Sequence, residues 1–187
     1  LIGEDVLVTR DPKEILAADK VVLPGVGSFG DAMENLHHFG LVPVIHQVVQ
    51  EQTPFLGICL GLQLLFEKSE ESPGVEGLGI LKGEILRIPA AEGLKIPHMG
   101  WNNIRFPNKG RLFAGVPEDA YVYFVHSYYL KAQDEKIVTA TTEYGTHIHA
   151  SVESGNLFAC QFHPEKSSHV GLQILKNFAK LEGKGGR

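Results

Sequence analysis

Cys59 sits in the stretch PFLGICLGLQ, residues 54–63, with Gly57 two positions before it and Gly61 two positions after. An apolar run enters the stretch, and Leu62, Leu65 and Phe66 leave it at helical spacing. This is the pattern of a buried strand that turns sharply into a helix, with a reactive side chain at the corner. A side chain at 57 or 61 would crowd such a corner, which is why glycine stands there. The corner places the sulfur at a helix N-terminus, where free N–H groups and the positive dipole end favour thiolate. The alternative is a buried cysteine packing as a small hydrophobe. The stretch alone does not choose between them.

A nucleophilic cysteine needs a base, and the base needs a group to orient it. The motif QFHPEKS, residues 161–167, offers both. His163 is expected to close an apolar strand. Glu165 lies two residues on, so its side chain returns to the same face. A carboxylate there can hold one imidazole nitrogen and leave the other for the sulfur. Pro164 ends the strand and stiffens the spacing. Taken alone, a His-x-Glu is also an ordinary surface pair.

The elements that must position these groups are legible in coarse form. Residues 5–9 and 20–23 read as short strands, the second apolar enough for a parallel sheet buried on both faces. The glycine-rich loop PGVGSF, residues 24–29, follows directly. Helices are expected over about 31–38 and 41–50, then the strand before Cys59 and a helix ending near residue 68. Strand and helix in alternation at this spacing mean βαβ units. The second half changes character. Residues 85–88, 99–106, 120–127, 137–142, 147–153 and 157–163 read as strands separated by turn residues, a hairpin-rich antiparallel sheet. Residues 168–181 place Val170, Ile174, Phe178 and Leu181 on one face of a helix. Residues 183–187 read as a frayed tail. The fold class is α/β, three-layered, in one domain over residues 1–187. Ligands of such sheets sit beyond the carboxyl ends of the strands, where Cys59 and the 24–29 loop both fall.

Composition excludes several classes of function. The chain has 187 residues and a formal net charge of −5, with no basic block to bind nucleic acid. Its apolar runs are too short to span a bilayer, and no signal-peptide pattern opens it. Two cysteines are too few for a disulfide framework. The expected location is the cytoplasm. Cys160 reads as a core residue. His147 and His149 share a strand face without a third ligand nearby, so a solvated face is expected rather than a metal site. No cofactor is expected.

The motifs GICLGLQ at 57–63 and HPE at 163–165 resemble the signatures of the class I (triad) glutamine amidotransferases. With LPGVGSF at 23–29, PHMGWN at 97–102, FVHSY at 124–128 and QFHPEKS at 161–167, the chain looks like the glutaminase subunits of imidazole glycerol phosphate synthases. The resemblance covers nearly the whole sequence. It implies a flavodoxin-like fold and hydrolysis of glutamine through a thioester, with Cys59, His163 and Glu165 as the triad. It implies backbone donors to an oxyanion at Leu60 and at Val26 or Gly27. Gln63, Ser127 and Tyr128 would meet the charged groups of glutamine. The implied partner is a (β/α)₈-barrel cyclase subunit, docked on Pro97, His98, Met99, Trp101, Asn102 and Lys166. Trp101 has a second reading, packing on its own sheet. The plain readings of the other groups are a strand-to-helix turn at 24–29 and a strand end at Ser127 and Tyr128. The glutaminase of another synthase and a non-catalytic module on this fold remain as alternatives. The first is opposed by the 97–102 segment and the second by the complete triad. A cysteine hydrolase of another α/β family is opposed by the HPE order. Family members also carry a further strand and helix ahead of residues 1–9, so the expectation is that this sequence is incomplete at its N-terminus. Without that strand, a gap would open between the strands at 5–9 and 20–23.

Overall fold

The computed structural model describes residues 2–183. Of the tail expected at 183–187, residues 184–187 lie outside them. The elements in chain order are α1 (Pro12–Ala17), β1 (Val21–Leu23), α2 (Phe29–His38), α3 (Leu41–Gln50), β2 (Phe55–Ile58), α4 (Leu60–Leu64), β3 (Lys68–Ser69), β4 (Gly83–Arg87), β5 (His98–Asn103), β6 (Tyr121–His126), β7 (Tyr128–Ala132), β8 (Val138–Glu143), β9 (His147–Ser154), β10 (Leu157–Cys160) and α5 (Ser168–Ala179). Short 3₁₀ turns span Arg111–Phe113, Glu135–Ile137 and Pro164–Lys166.

The main sheet runs β1-β2-β10-β9-β7-β4-β3, with β8 paired to β9. β1, β2 and β10 are mutually parallel, and so are β3 and β4. The remaining pairs are antiparallel, as the hairpin-rich second half predicts. β5 and β6 form a separate antiparallel ribbon.

Side-chain alternation sends successive residues of β2 and β10 to two different cores. Phe55, Leu157 and Ala159 join α2 and α3 on one face. Leu56, Ile58, Phe158 and Cys160 join α5 and the β5–β6 ribbon on the other. Both faces are therefore covered, which gives the three layers. Cys160 is fully buried, as expected. The α5 face is also as expected: Ile174 and Phe178 are buried, and Val170 and Leu181 pack beside them.

Several expectations need correction. Residues 5–9 form no strand, because no neighbour pairs with them, and Val6, Leu7 and Val8 are exposed. β1 lies at the end of the sheet with Val22 half exposed. The helix after Cys59 stops at Leu64, and Lys68–Ser69 instead pairs with Glu84 and Ile85 of β4. β10 ends at Cys160 rather than at His163, since the His163 N–H turns away to the Tyr123 carbonyl. α1 and β7 went unread in the sequence. α1 is too short to show a period, and β7 follows β6 across the single residue Ser127.

The glycines of the Cys59 corner are fixed by contact. A Cβ on Gly57 would come within 2.7 Å of the Gly61 carbonyl, and one on Gly61 would strike the Leu23 carbonyl on β1. Both obstacles are backbone and cannot swing aside. Gly61→Ala is therefore expected to cost at least about 3 kcal/mol, as for other severe core clashes. A denaturant melt that loses less than about 1 kcal/mol would contradict this packing.

Candidate active site

Cys59 follows β2 and takes φ 54° and ψ −110°, a conformation rare for any residue but glycine. Its N–H donates to the Cys160 carbonyl at 2.8 Å, so the corner is clamped to the end of β10. Its carbonyl accepts from the N–H groups of Leu62 and Gln63, which starts α4. The side chain is 9% exposed. Gln161 Nε2 approaches its sulfur at 3.7 Å. Burial pushes the thiol up to about 11, and the nearby Glu165 charge adds to that. The Leu60 N–H, the Gln161 amide and Lys166 pull the other way without reversing it. The expected thiolate is therefore corrected. A helix of five residues does not offset desolvation, and the resting sulfur is a thiol.

His163 comes three residues after β10, the parallel neighbour of β2, so both groups sit beyond the carboxyl ends of adjacent strands. Its Nδ1 lies 2.7 Å from Glu165 Oε1. A carboxylate oxygen accepts, so Nδ1 carries the hydrogen, and in the neutral ring Nε2 presents its lone pair. Glu165 reaches it through the Pro164–Lys166 3₁₀ turn and not through strand alternation. His163 is 5% exposed, and Nε2 is buried without a hydrogen-bond partner. Burying such an atom costs about 1–3 kcal/mol, and exceptions of this kind concentrate where chemistry is done. Ser167 braces the turn. Its hydroxyl donates to the His163 carbonyl at 2.7 Å and accepts from the Tyr123 N–H at 2.9 Å.

The 24–29 loop crosses the same corner. A Cβ on Gly25 would lie 3.0 Å from Leu60 Cβ, and Gly27 takes φ +94°. Val26 projects outward and is exposed. The loop is anchored downstream, where Ser28 caps α2, Glu71 accepts from the Phe29 N–H and Ser72 accepts from the Gly30 N–H. Gly25 thus lies against Leu60, the residue that follows Cys59.

The other expected residues divide. Gln63 is buried, and its amide nitrogen donates to the Tyr128 carbonyl at 3.1 Å and to Gln161 Oε1 at 2.9 Å. Ser127 sits at the β6–β7 turn, where its carbonyl accepts from the Ile88 N–H. On β5, strand alternation splits the 97–102 segment. Met99 and Trp101 are 63% and 51% exposed, and Pro97 and Lys166 are also at the surface. Trp101 packs edge-on to Tyr123, over which Lys166 lies. His98 is corrected: it is buried, stacked between Phe124 and Tyr144, and unavailable at the surface. Asn102 turns the same way and meets His98 Nε2 at 3.3 Å. His149 is also buried rather than solvated, its Nδ1 accepting from the Ala132 N–H. Among the described residues no metal-binding cluster is found, and no helix is long and apolar enough to cross a membrane.

Sequence reasoning missed Gln161 as the side chain touching the sulfur. It also missed the His98–His126 pair, whose rings meet at 2.9 Å. The hairpin pairing of 97–102 with 121–126 would have placed those two histidines opposite each other.

The model of the family described as glutamine amidotransferase class-I matches residues 4–181. The chain belongs to the class-I glutamine amidotransferase family. It is 57% identical over 180 residues to the imidazole glycerol phosphate synthase subunit HisH of Moorella thermoacetica, covering 96% of this chain and 85% of that one. It is 47% identical over 178 residues to the HisH subunit of Methanocaldococcus jannaschii, covering 95% and 88%. The fold is shared with solved structures of much lower identity. A crystal structure of a glutamine amidotransferase superposes with a TM-score of 0.71 at 19% identity, covering 95% of this chain and 88% of that one. The glutaminase domain of Trypanosoma brucei CTPS with bound acivicin superposes with a TM-score of 0.63 at 19% identity, covering 91% and 75%.

The buried histidine pair gives this amidotransferase an acid sensitivity. Burial holds His98 at about 4 and His126 at about 3, below the ordinary 6.5. The unfolded chain takes up protons at 6.5 while the fold does not. Stability is therefore complete above pH 6.5 and falls as pH drops toward 4. Melting temperature should decline across that window, and a His98→Gln/His126→Asn double variant should flatten the decline. An equal slope in both proteins would contradict the assignment.

Proposed function

We propose that the chain is the glutaminase subunit of imidazole glycerol phosphate synthase, hydrolysing L-glutamine to glutamate and ammonia on Cys59 and passing ammonia to a cyclase subunit. The observation that carries the site assignment is the buried lone pair of His163 Nε2, held in that tautomer by Glu165 at the end of the strand beside Cys59. The names of the HisH relatives carry the biological role.

The chemistry follows from the protonation states. Cys59 is a thiol at rest, so its proton must leave as the sulfur attacks the side-chain amide carbon of glutamine. His163 Nε2 takes that proton, and Glu165 stabilises the imidazolium. The carbonyl oxygen becomes an oxyanion between the Leu60 N–H and an N–H of Val26 or Gly27, each worth roughly 10²–10³ in rate. Collapse breaks the C–N bond, and His163 returns the proton so that ammonia leaves. Water, deprotonated by His163, then attacks the thioester and releases glutamate and the Cys59 thiol. Ser127 and Tyr128 hold the charged end of glutamine. The amide nitrogen of Gln63 is already committed, which leaves its oxygen to accept from the substrate ammonium.

Released ammonia would be lost to solvent, so the product must be handed on. The exposed face made by Pro97, Met99, Trp101 and Lys166 is the docking surface for the cyclase, with Met99 and Trp101 as apolar anchors. Residues 1–187 belong to a single domain, placed in the cytoplasm, where both free cysteines stay reduced.

Cys59→Ala is expected to abolish glutamine hydrolysis and leave binding of the cyclase subunit intact. In the unaltered protein, hydrolysis should be slow alone and rise sharply with the cyclase and its ribonucleotide ligand. Ammonia release measured in the pair checks both. Substantial activity in the variant, or equal rates with and without the partner, would overturn the reading.

A further inference from the structure

The buried polar groups around Cys59 do not stop at Gln161. Gln161 Nε2 donates to the sulfur, and Gln161 Oε1 accepts from Gln63 Nε2. Gln63 Nε2 also donates to the Tyr128 carbonyl. That carbonyl lies 2.8 Å from His126 Nδ1, and because a carbonyl can only accept, Nδ1 carries the hydrogen. The neutral His126 ring then accepts at Nε2, 2.9 Å from His98 Nδ1, which must donate. His98 in turn accepts at Nε2 from Asn102 Nδ2. Every proton in the series is thereby placed, with one tautomer for each ring. Burial keeps both rings neutral, as that series requires.

Gln161 and His98 are at most 2% exposed, and Gln63 and His126 at most 6%. Water cannot replace a bond lost among them, so each group strongly orients the next. The outer end lies on β5. The same strand that turns His98 and Asn102 inward turns Met99 and Trp101 outward. A load on the outward side chains therefore acts on the backbone that carries His98.

We infer that Asn102, His98, His126, the Tyr128 carbonyl, Gln63 and Gln161 form a hydrogen-bonded relay that positions the Cys59 thiol and ties it to the outward face of β5. Asn102, His98, His126 and the Tyr128 carbonyl position the sulfur through Gln63 and Gln161, and Gln161 alone touches it. The second half of the inference rests on the docking role proposed for that face.

The test is the rate at which iodoacetamide alkylates Cys59, followed by peptide mass, in the chain and in its complex with the cyclase subunit. It is read without glutamine and accompanied by kcat and KM for glutamine in the complex. Gln161→Leu and His126→Phe are expected to slow alkylation and lower kcat by about tenfold, with KM within about twofold. Both should also abolish any change that the partner makes to alkylation. His126→Asn keeps an N–H toward the Tyr128 carbonyl but loses the bond to His98, so alkylation in the isolated chain should stay within about twofold of the unaltered protein while the partner's effect on it is lost. Unchanged alkylation in Gln161→Leu and His126→Phe would overturn the relay. So would a His126→Asn variant whose alkylation in the isolated chain is as slow as that of His126→Phe, which would reduce the ring to packing. If His126→Phe does not fold, Asn102→Leu at the solvent end takes its place, with at least about threefold slower alkylation in the complex expected and no change overturning the relay. Alkylation that follows the relay in a complex without glutaminase activity would sink the proposed function and leave the relay. Glutaminase activity with alkylation indifferent to these variants would do the reverse.

Discussion

Cys59 is held in a backbone conformation that costs a residue with a side chain about 1–3 kcal/mol, and the rest of the structure is arranged to hold it there. With φ 54° the chain leaves β2 and enters α4 without an intervening loop. Three backbone contacts enforce this. Gly61 lies against the Leu23 carbonyl of β1, Gly57 against Gly61, and the Cys59 N–H is bonded to the end of β10. The parallel order β1-β2-β10 brings those three strands side by side. The apolar alternation that buries both faces of β2 and β10 thus also fixes the angle at which the sulfur is presented.

The same burial decides the electrostatics. A helix N-terminus, an amide and a lysine all favour thiolate at Cys59, yet desolvation outweighs them and the thiol is held at about 11. Each pH unit below that value reduces the thiolate about tenfold, so at neutral pH almost none exists. The site consequently depends on a base that acts during attack. His163 meets the need because Glu165 fixes its protonated nitrogen and leaves Nε2 bare. A thiol that stays protonated until substrate is in place also resists oxidation and adventitious alkylation, since only the thiolate reacts readily.

Much of this was legible in the sequence, for reasons that differ by element. The Gly57–Cys59–Gly61 spacing signals the corner because the clash it avoids is local. α3 was readable to its ends, since Val44, Ile45 and Val48 mark one buried face. His163 and Glu165 were readable as a pair, although a 3₁₀ turn joins them where a strand was expected. What the sequence could not express was non-local. The strand expected at residues 5–9 fails for want of a neighbour, and no pattern within five residues records that. Gln161 is 102 residues from Cys59, and only the β2–β10 pairing brings it to the sulfur. The inward turn of His98 depends on Phe124 of β6 and Tyr144 of the β8–β9 turn closing over it. The expected thiolate failed for the same kind of reason, because spacing shows a helix N-terminus and does not show how deeply it is buried.

The central claim is that Cys59 rests as a buried thiol and loses its proton only during attack. The most direct measurement is the thiolate absorbance near 240 nm, titrated in the unliganded chain against Cys59→Ala. The account predicts no Cys59 thiolate signal through neutral pH, with ionisation only well above the ordinary 9.0 and toward 11. A Cys59 ionisation step below pH 9.0 would contradict it.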